Sequence, residues 1–76
     1  MKDLLEFLTQ ALVDDPVAVE VEEFEEDGDL VYEISVADDD LGRVIGKGGR
    51  VANALRTLAK AAAVKLDRRV IVDILD

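Results

Sequence analysis

Leu4, Phe7, Leu8, Ala11 and Leu12 recur at the i, i+3, i+4, i+7, i+8 spacing of an amphipathic helix, which puts that stripe, Phe7 included, toward a core. Asp14-Asp15-Pro16 then ends the helix, since proline lacks the N–H that the next turn needs. From Val17 to Val21 the period changes to two, with Val17, Val19 and Val21 on one side, so a strand is predicted there. Asp27-Gly28 is a pair that readily takes positive φ in a tight turn, and Leu30, Tyr32, Ile34 and Val36 alternate after it. These two strands are expected to form an antiparallel hairpin, with a slip of phase at Glu22-Glu23-Phe24 that reads as a bulge.

Asp38-Asp39-Asp40 carries carboxylates suited to cap a helix and satisfy its first N–H groups, and a short helix is predicted through about Ile45. Gly46 to Gly49 interrupts it. A longer helical pattern follows, with Val51, Leu55, Leu58, Ala59, Ala62 and Leu66 on one face and Arg50, Asn53, Thr57 and Lys60 on the opposite one. The run from Val70 to Leu75 is mostly apolar, as suits a strand paired in parallel inside a sheet. The order is therefore α-β-β-α-α-β in one α+β domain spanning residues 1–76. Its sheet is three-stranded and mixed, with the second strand central, a right-handed crossover to the third, and all three helices on one face.

Composition narrows the chemistry. The chain of 76 residues has neither cysteine nor histidine, which removes disulfides, thiolate metal sites and the commonest general base. Its only side-chain hydroxyls are Thr9, Tyr32, Ser35 and Thr57, so no nucleophile and base can be paired, and an enzyme, a cofactor and a small-molecule substrate are not expected. No apolar run reaches the roughly 18 residues that span a bilayer, and Met1-Lys2-Asp3 does not open a signal peptide; a soluble, cytoplasmic protein with no membrane partner is expected.

The net charge of −9 by itself argues against a nucleic-acid partner, but its distribution points the other way. Residues 1–42 hold fifteen acidic side chains against Lys2 alone, whereas residues 43–76 hold eight basic against three acidic. From Leu41 to Leu66 there is no acid at all, while Arg43, Lys47, Arg50, Arg56, Lys60 and Lys65 fall in that stretch. One side of an otherwise acidic molecule is thus expected to face an anion.

Gly46-Lys47-Gly48-Gly49 joins two helices, and glycines there leave a main chain that a phosphodiester can approach closely. The loop also feeds a helix N-terminus, whose free N–H groups and partial positive charge are reinforced by Lys47 and Arg50, with Arg43 about one turn earlier. The run Gly42-Arg43-Val44-Ile45-Gly46-Lys47-Gly48-Gly49-Arg50-Val51 resembles the signature of KH domains, in which a G-x-x-G loop between two helices follows an Ile-Gly step. The element order resembles the type II form of that fold. Over the whole chain, from the opening helix through the alanine-rich one to the last strand, the sequence is similar to the stand-alone bacterial KH proteins of the KhpA type.

That resemblance implies a single-stranded RNA-binding protein, a post-transcriptional regulator or RNA chaperone, acting as a homodimer or as a heterodimer with a larger KH-containing RNA-binding protein. It implies backbone contact at Gly46, Lys47, Gly48 and Gly49 and a groove wall at Val44 and Ile45; Arg43, Arg50 and Asn53 complete the expected RNA-binding set. About four nucleotides fill such a groove. Few aromatic side chains are free to stack on bases, so weak sequence discrimination is expected. The chain departs from many KH domains in being so acidic, which bears on affinity.

Plainer readings stand beside these. The glycines could form no more than a helix C-cap and a turn. A Walker A loop does not fit, since Lys47 is followed by Gly48, nor does a dinucleotide fingerprint, which needs a strand before the glycines. Arg56, Lys60 and Lys65 read equally well as a solvated helix face. Asp38-Asp39-Asp40 lacks the spacing of a calcium loop, which favours capping over a cation. Glu20 to Asp29 reads as an acidic solvent face. A function of a different class, a protein-interaction or dimerisation subunit with RNA contact secondary, rests on the small core, the alanine-rich helix and the apolar last strand.

Overall fold

The computed structural model describes residues 1–75; Asp76, the last residue of the expected domain, lies outside them. Six main elements follow one another: α1 (Lys2–Leu12), β1 (Glu20–Glu26), β2 (Asp29–Ser35), α2 (Leu41–Ile45), α3 (Arg50–Ala63) and β3 (Val70–Ile74), with single 3₁₀ turns at Pro16–Ala18, Asp38–Asp40, Lys47–Gly49 and Val64–Leu66. The strands form one mixed sheet in the order β1-β2-β3, β1 antiparallel and β3 parallel to the central β2. The architecture is α+β with three helices on a three-stranded mixed sheet, consistent with a KH-type fold.

Alternation in the strands sorts their side chains. Val19, Val21, Leu30, Tyr32, Ile34, Val70 and Val72 meet Leu5 of α1 and Ala59 and Ala63 of α3 in one core. The other sheet face bears Glu22, Glu33 and Asp73 in one cross-strand row and Phe24, Val31 and Ile71 in the next. Asp27 and Gly28 both take positive φ, as the tight turn requires.

Several sequence expectations need correction. Val17 is not in a strand: Pro16, with its fixed φ, opens a 3₁₀ turn closed by the Val19 N–H donating to the Pro16 carbonyl, and Val17 is left 93% exposed. There is no bulge, because pairing runs unbroken from Glu20↔Ser35 to Glu26↔Asp29. The slip of phase has another cause. Glu23 and Glu25 share the face of Tyr32 and Leu30 yet stay exposed, Glu23 accepting a hydrogen bond from the Tyr32 hydroxyl at 3.0 Å and Glu25 pairing with Arg68 at 3.1 Å.

The helices are also rolled relative to their apolar stripes. In α1 the buried residues are Leu5 and Thr9, while Phe7 is 68% exposed. Threonine is tolerated there because its hydroxyl donates to the Leu5 carbonyl one turn back, at 2.7 Å. In α3 the buried face is Ala52, Leu55, Ala59 and Ala63; Leu58 and Leu66 stand about half exposed. Alanine lets a helix lie close on a sheet, and that close approach decides the roll against the larger leucines.

Candidate nucleic-acid interface

The turn between α2 and α3 is built by backbone conformation. Gly46 ends α2, its N–H donating to the Gly42 carbonyl at 2.9 Å, and has φ 76° and ψ 169°. Gly48 and Gly49 also have positive φ, at 66° and 79°, and the Gly49 N–H donates back to the Gly46 carbonyl at 3.1 Å. Nothing lies within 4 Å of where a Cβ on Gly48 would stand, so the tip of the turn is bare main chain. α3 starts directly after it, and the N–H of its first residue, Arg50, donates back to the Lys47 carbonyl. Lys47, Gly48 and Arg50 are exposed, and among the described residues neither Lys47 nor Arg50 is ion-paired.

The remaining expected site residues divide. Ile45 is 37% exposed beside the turn, whereas Val44, expected as its companion in a groove wall, is fully buried. Asn53 is exposed one turn into α3, its amide Nδ2 placed 3.8 Å from the Cβ position of Gly49. Arg43 is exposed but engaged: its guanidinium lies 2.9 Å from the Asp14 carboxylate and 3.6 Å from that of Asp40.

Asp40 does not do what its position suggested. Neither it nor its two neighbours caps a helix by side chain. The Asp40 carboxylate is buried and reaches across to the end of α1, where its two oxygens accept the Asp14 and Asp15 N–H groups, each at 3.1 Å. A charge is tolerated there because both oxygens are hydrogen-bonded and Arg43 adds an opposite charge.

For Arg56 the sequence left two readings open. It is half-buried, donating from Nε to the Val72 carbonyl at 3.2 Å and from Nη1 to Asn53 Oδ1 at 3.2 Å. With Lys60, Val64, Asp67, Arg68, Arg69 and residues 70–73 of β3, Asp73 included, it lines an open cleft of about 760 Å³. Gly49, Asn53, Arg56, Lys60 and Val64 follow helical spacing, so turn and cleft share one stripe along α3, about 20 Å long at 1.5 Å per residue. Arg68 and Arg69, which line this cleft, were not singled out from the sequence. They stand in a turn after Asp67, which takes positive φ, and the hairpin steadies them, Arg68 through Glu25 and the Gly28 carbonyl and Arg69 through Asp29. A signal was present in the sequence, namely two adjacent arginines before an apolar strand, but only the crossover brings them to α3.

The sequence pattern of the family described as KhpA/KhpB, KH domain matches residues 2–74. An RNA-binding protein KhpA from Caldanaerobacter subterraneus is 51% identical over 75 residues, covering 99% of this chain and all of its own length. An RNA-binding protein KhpA from Halalkalibacterium halodurans is 51% identical over 76 residues, the whole of both chains, and one from Clostridium acetobutylicum is 49% identical over 75. No helix among the described residues is long and apolar enough to cross a membrane.

Proposed function

Since the chain belongs to the KhpA/KhpB family of KH domains, we propose that it binds single-stranded RNA in the cytoplasm, laying phosphates against the Gly46–Gly49 turn and running the strand along α3 into the cleft beside β3. The observation that carries this reading is the bare, positive-φ turn at the start of a 14-residue helix, flanked by Lys47 and Arg50, neither of them ion-paired among the described residues. A phosphate there meets bare main chain, the positive helix end and two exposed charges without steric obstruction from Gly48. Lys47 and Arg50 flank the phosphates, Ile45 and Asn53 border the groove, and Arg56 and Lys60 extend the cationic track toward Arg68 and Arg69. Arg43 joins from the other side of the turn once Asp14 releases it. The bases meet apolar edges and few aromatic faces, so a single copy discriminates weakly among sequences. Charge confined to one side also orients the acidic molecule as it approaches RNA. Acting as an RNA chaperone or post-transcriptional regulator needs no catalytic step.

Replacing Lys47 and Gly48 by Asp tests this directly: RNA binding in a mobility-shift or crosslinking assay is expected to vanish with the circular dichroism spectrum unchanged. Intact binding by that variant would overturn it.

A second reading adds self-association or pairing with a larger KH-containing RNA-binding protein. It is favoured by the apolar side chains that the helices leave bare, Phe7 at 68% and Leu58 at 49% exposed. A dimer doubles the RNA contacts and so raises effective affinity. Light scattering at micromolar concentration should find a dimer; a monomer at every concentration counts against this part.

A further inference from the structure

We infer that Asp14 is a built-in competitor of RNA phosphate at Arg43, so that a carboxylate from the end of α1 sets how tightly the turn holds RNA. The inference rests on the RNA-binding reading above and names a determinant of its strength. Arg43 lies three residues before Gly46, within about one helical turn of the loop, so its long side chain can reach a phosphate seated there. In the free protein that reach is taken up by the Asp14 Oδ2 contact at 2.9 Å, a geometry much like the one a phosphate oxygen would offer.

The arrangement is held in place by tertiary contacts. Asp40, buried, accepts the N–H groups of both Asp14 and Asp15 and thereby fixes the end of α1 beside α2; its own Oδ1 stands 3.6 Å from Arg43 Nε. Asp14 is therefore presented to Arg43 by its backbone, and its side chain, 77% exposed, is free to let go. Arg43 is 56% exposed. An ion pair so open to water is worth little, and it can be exchanged for a phosphate at small cost. Asp40 keeps a partial hold on Arg43 in either state, which keeps the guanidinium near the turn.

Lys47 and Arg50 have no such competitor among the described residues, so of the three cations nearest the turn only Arg43 is masked. It follows that part of the cost of binding RNA is the release of one internal carboxylate, and that Asp14, far from the turn in sequence, is a positioning residue for the site.

The test is a double-mutant cycle read by fluorescence anisotropy on a short mixed-sequence single-stranded RNA labelled with fluorescein. D14N keeps the backbone N–H that Asp40 binds and removes only the competing charge. It is expected to tighten binding about two- to fivefold, the range an exposed ion pair spans, and to steepen the slope of log affinity on log salt by about 0.7, one phosphate on a single strand. In an R43Q background D14N should change nothing beyond what D15N does, since D15N removes a neighbouring charge that Arg43 does not touch. Equal gains from D14N and D15N in the native background, or a D14N gain that survives R43Q, would overturn the inference while leaving the RNA-binding reading intact. Failure of that reading shows differently, as binding by the Lys47→Asp, Gly48→Asp variant that equals the unmutated chain.

Discussion

Gly46 and Val51 meet so closely at the start of α3 that a Cβ on Gly46 would stand 2.6 Å from Val51 Cγ2 and 2.8 Å from the Val51 nitrogen. The contact explains why the turn tolerates only glycine at its first position. It locks the end of α2 against the beginning of α3 and holds the rest of the turn outward. Gly46→Ala adds both this collision and an unfavourable φ of 76°, and is expected to destabilise the fold by about 2–4 kcal/mol. Urea unfolding measures it; a loss within about 0.5 kcal/mol, the scatter of surface substitutions, would contradict the geometry.

Asp40 supplies the second anchor. Removing its carboxylate leaves the Asp14 and Asp15 N–H groups without their acceptor and Arg43 with Asp14 alone. Asp40→Ala should cost about 2–3 kcal/mol in the same unfolding experiment, whereas Asp39→Ala, at an exposed neighbour, should cost almost nothing. Equal effects would mean that the triple aspartate acts only through its charge.

Lys60 and Lys65 are both exposed and five residues apart, yet Lys60 lines the cleft and Lys65 does not. Lys60→Ala is expected to weaken RNA binding and to flatten the salt dependence by about 0.7 in the log–log slope, with Lys65→Ala unchanged on both counts. Matched losses from the two would reduce their role to net charge and remove the cleft from the RNA path.

The Tyr32 phenol is pushed up to about 12, first by burial and then by the Glu23 carboxylate that accepts its hydrogen bond, with Arg68 acting weakly the other way. The neutral phenol is favoured in the folded state, so its contribution to stability is fully present below pH 10 and is lost as the pH rises toward 12. Phenolate absorbance should therefore appear near pH 12 while the protein is folded and near pH 10 once it is unfolded in denaturant. Tyr32→Phe should leave a fold whose stability is flat across that window apart from the other titrating groups. A native titration near 10 would show that the phenol is neither buried nor bonded to Glu23 in solution.

The hairpin turn, the parallel last strand and the glycine loop between two helices were all legible in the sequence, because each follows from local rules: positive φ at Asp27-Gly28, alternation, and runs of apolar residues. Asymmetry of charge was legible as well, since it is a property of the chain. The roll of α1 and α3 was not. Periodicity reports that an amphipathic face exists, whereas which part of it is buried depends on how near the helix can come to the sheet, and small Ala52, Ala59 and Ala63 won that contest over Leu58.

The same division holds at the candidate site. Gly46, Lys47, Gly48, Gly49 and Arg50 could be named from residue type and spacing, since bare backbone at a helix start is a local property. That Val44 is buried, that Arg43 is held by Asp14 and Asp40, and that Arg68 and Arg69 lie across a cleft from Arg56 are facts of distant segments meeting. Sequence alone determined the turn and the sign of its surroundings; tertiary structure decided which charges remain available to a ligand, because an ion pair between residues 29 apart, such as Asp14 and Arg43, leaves no mark in the local pattern of the chain.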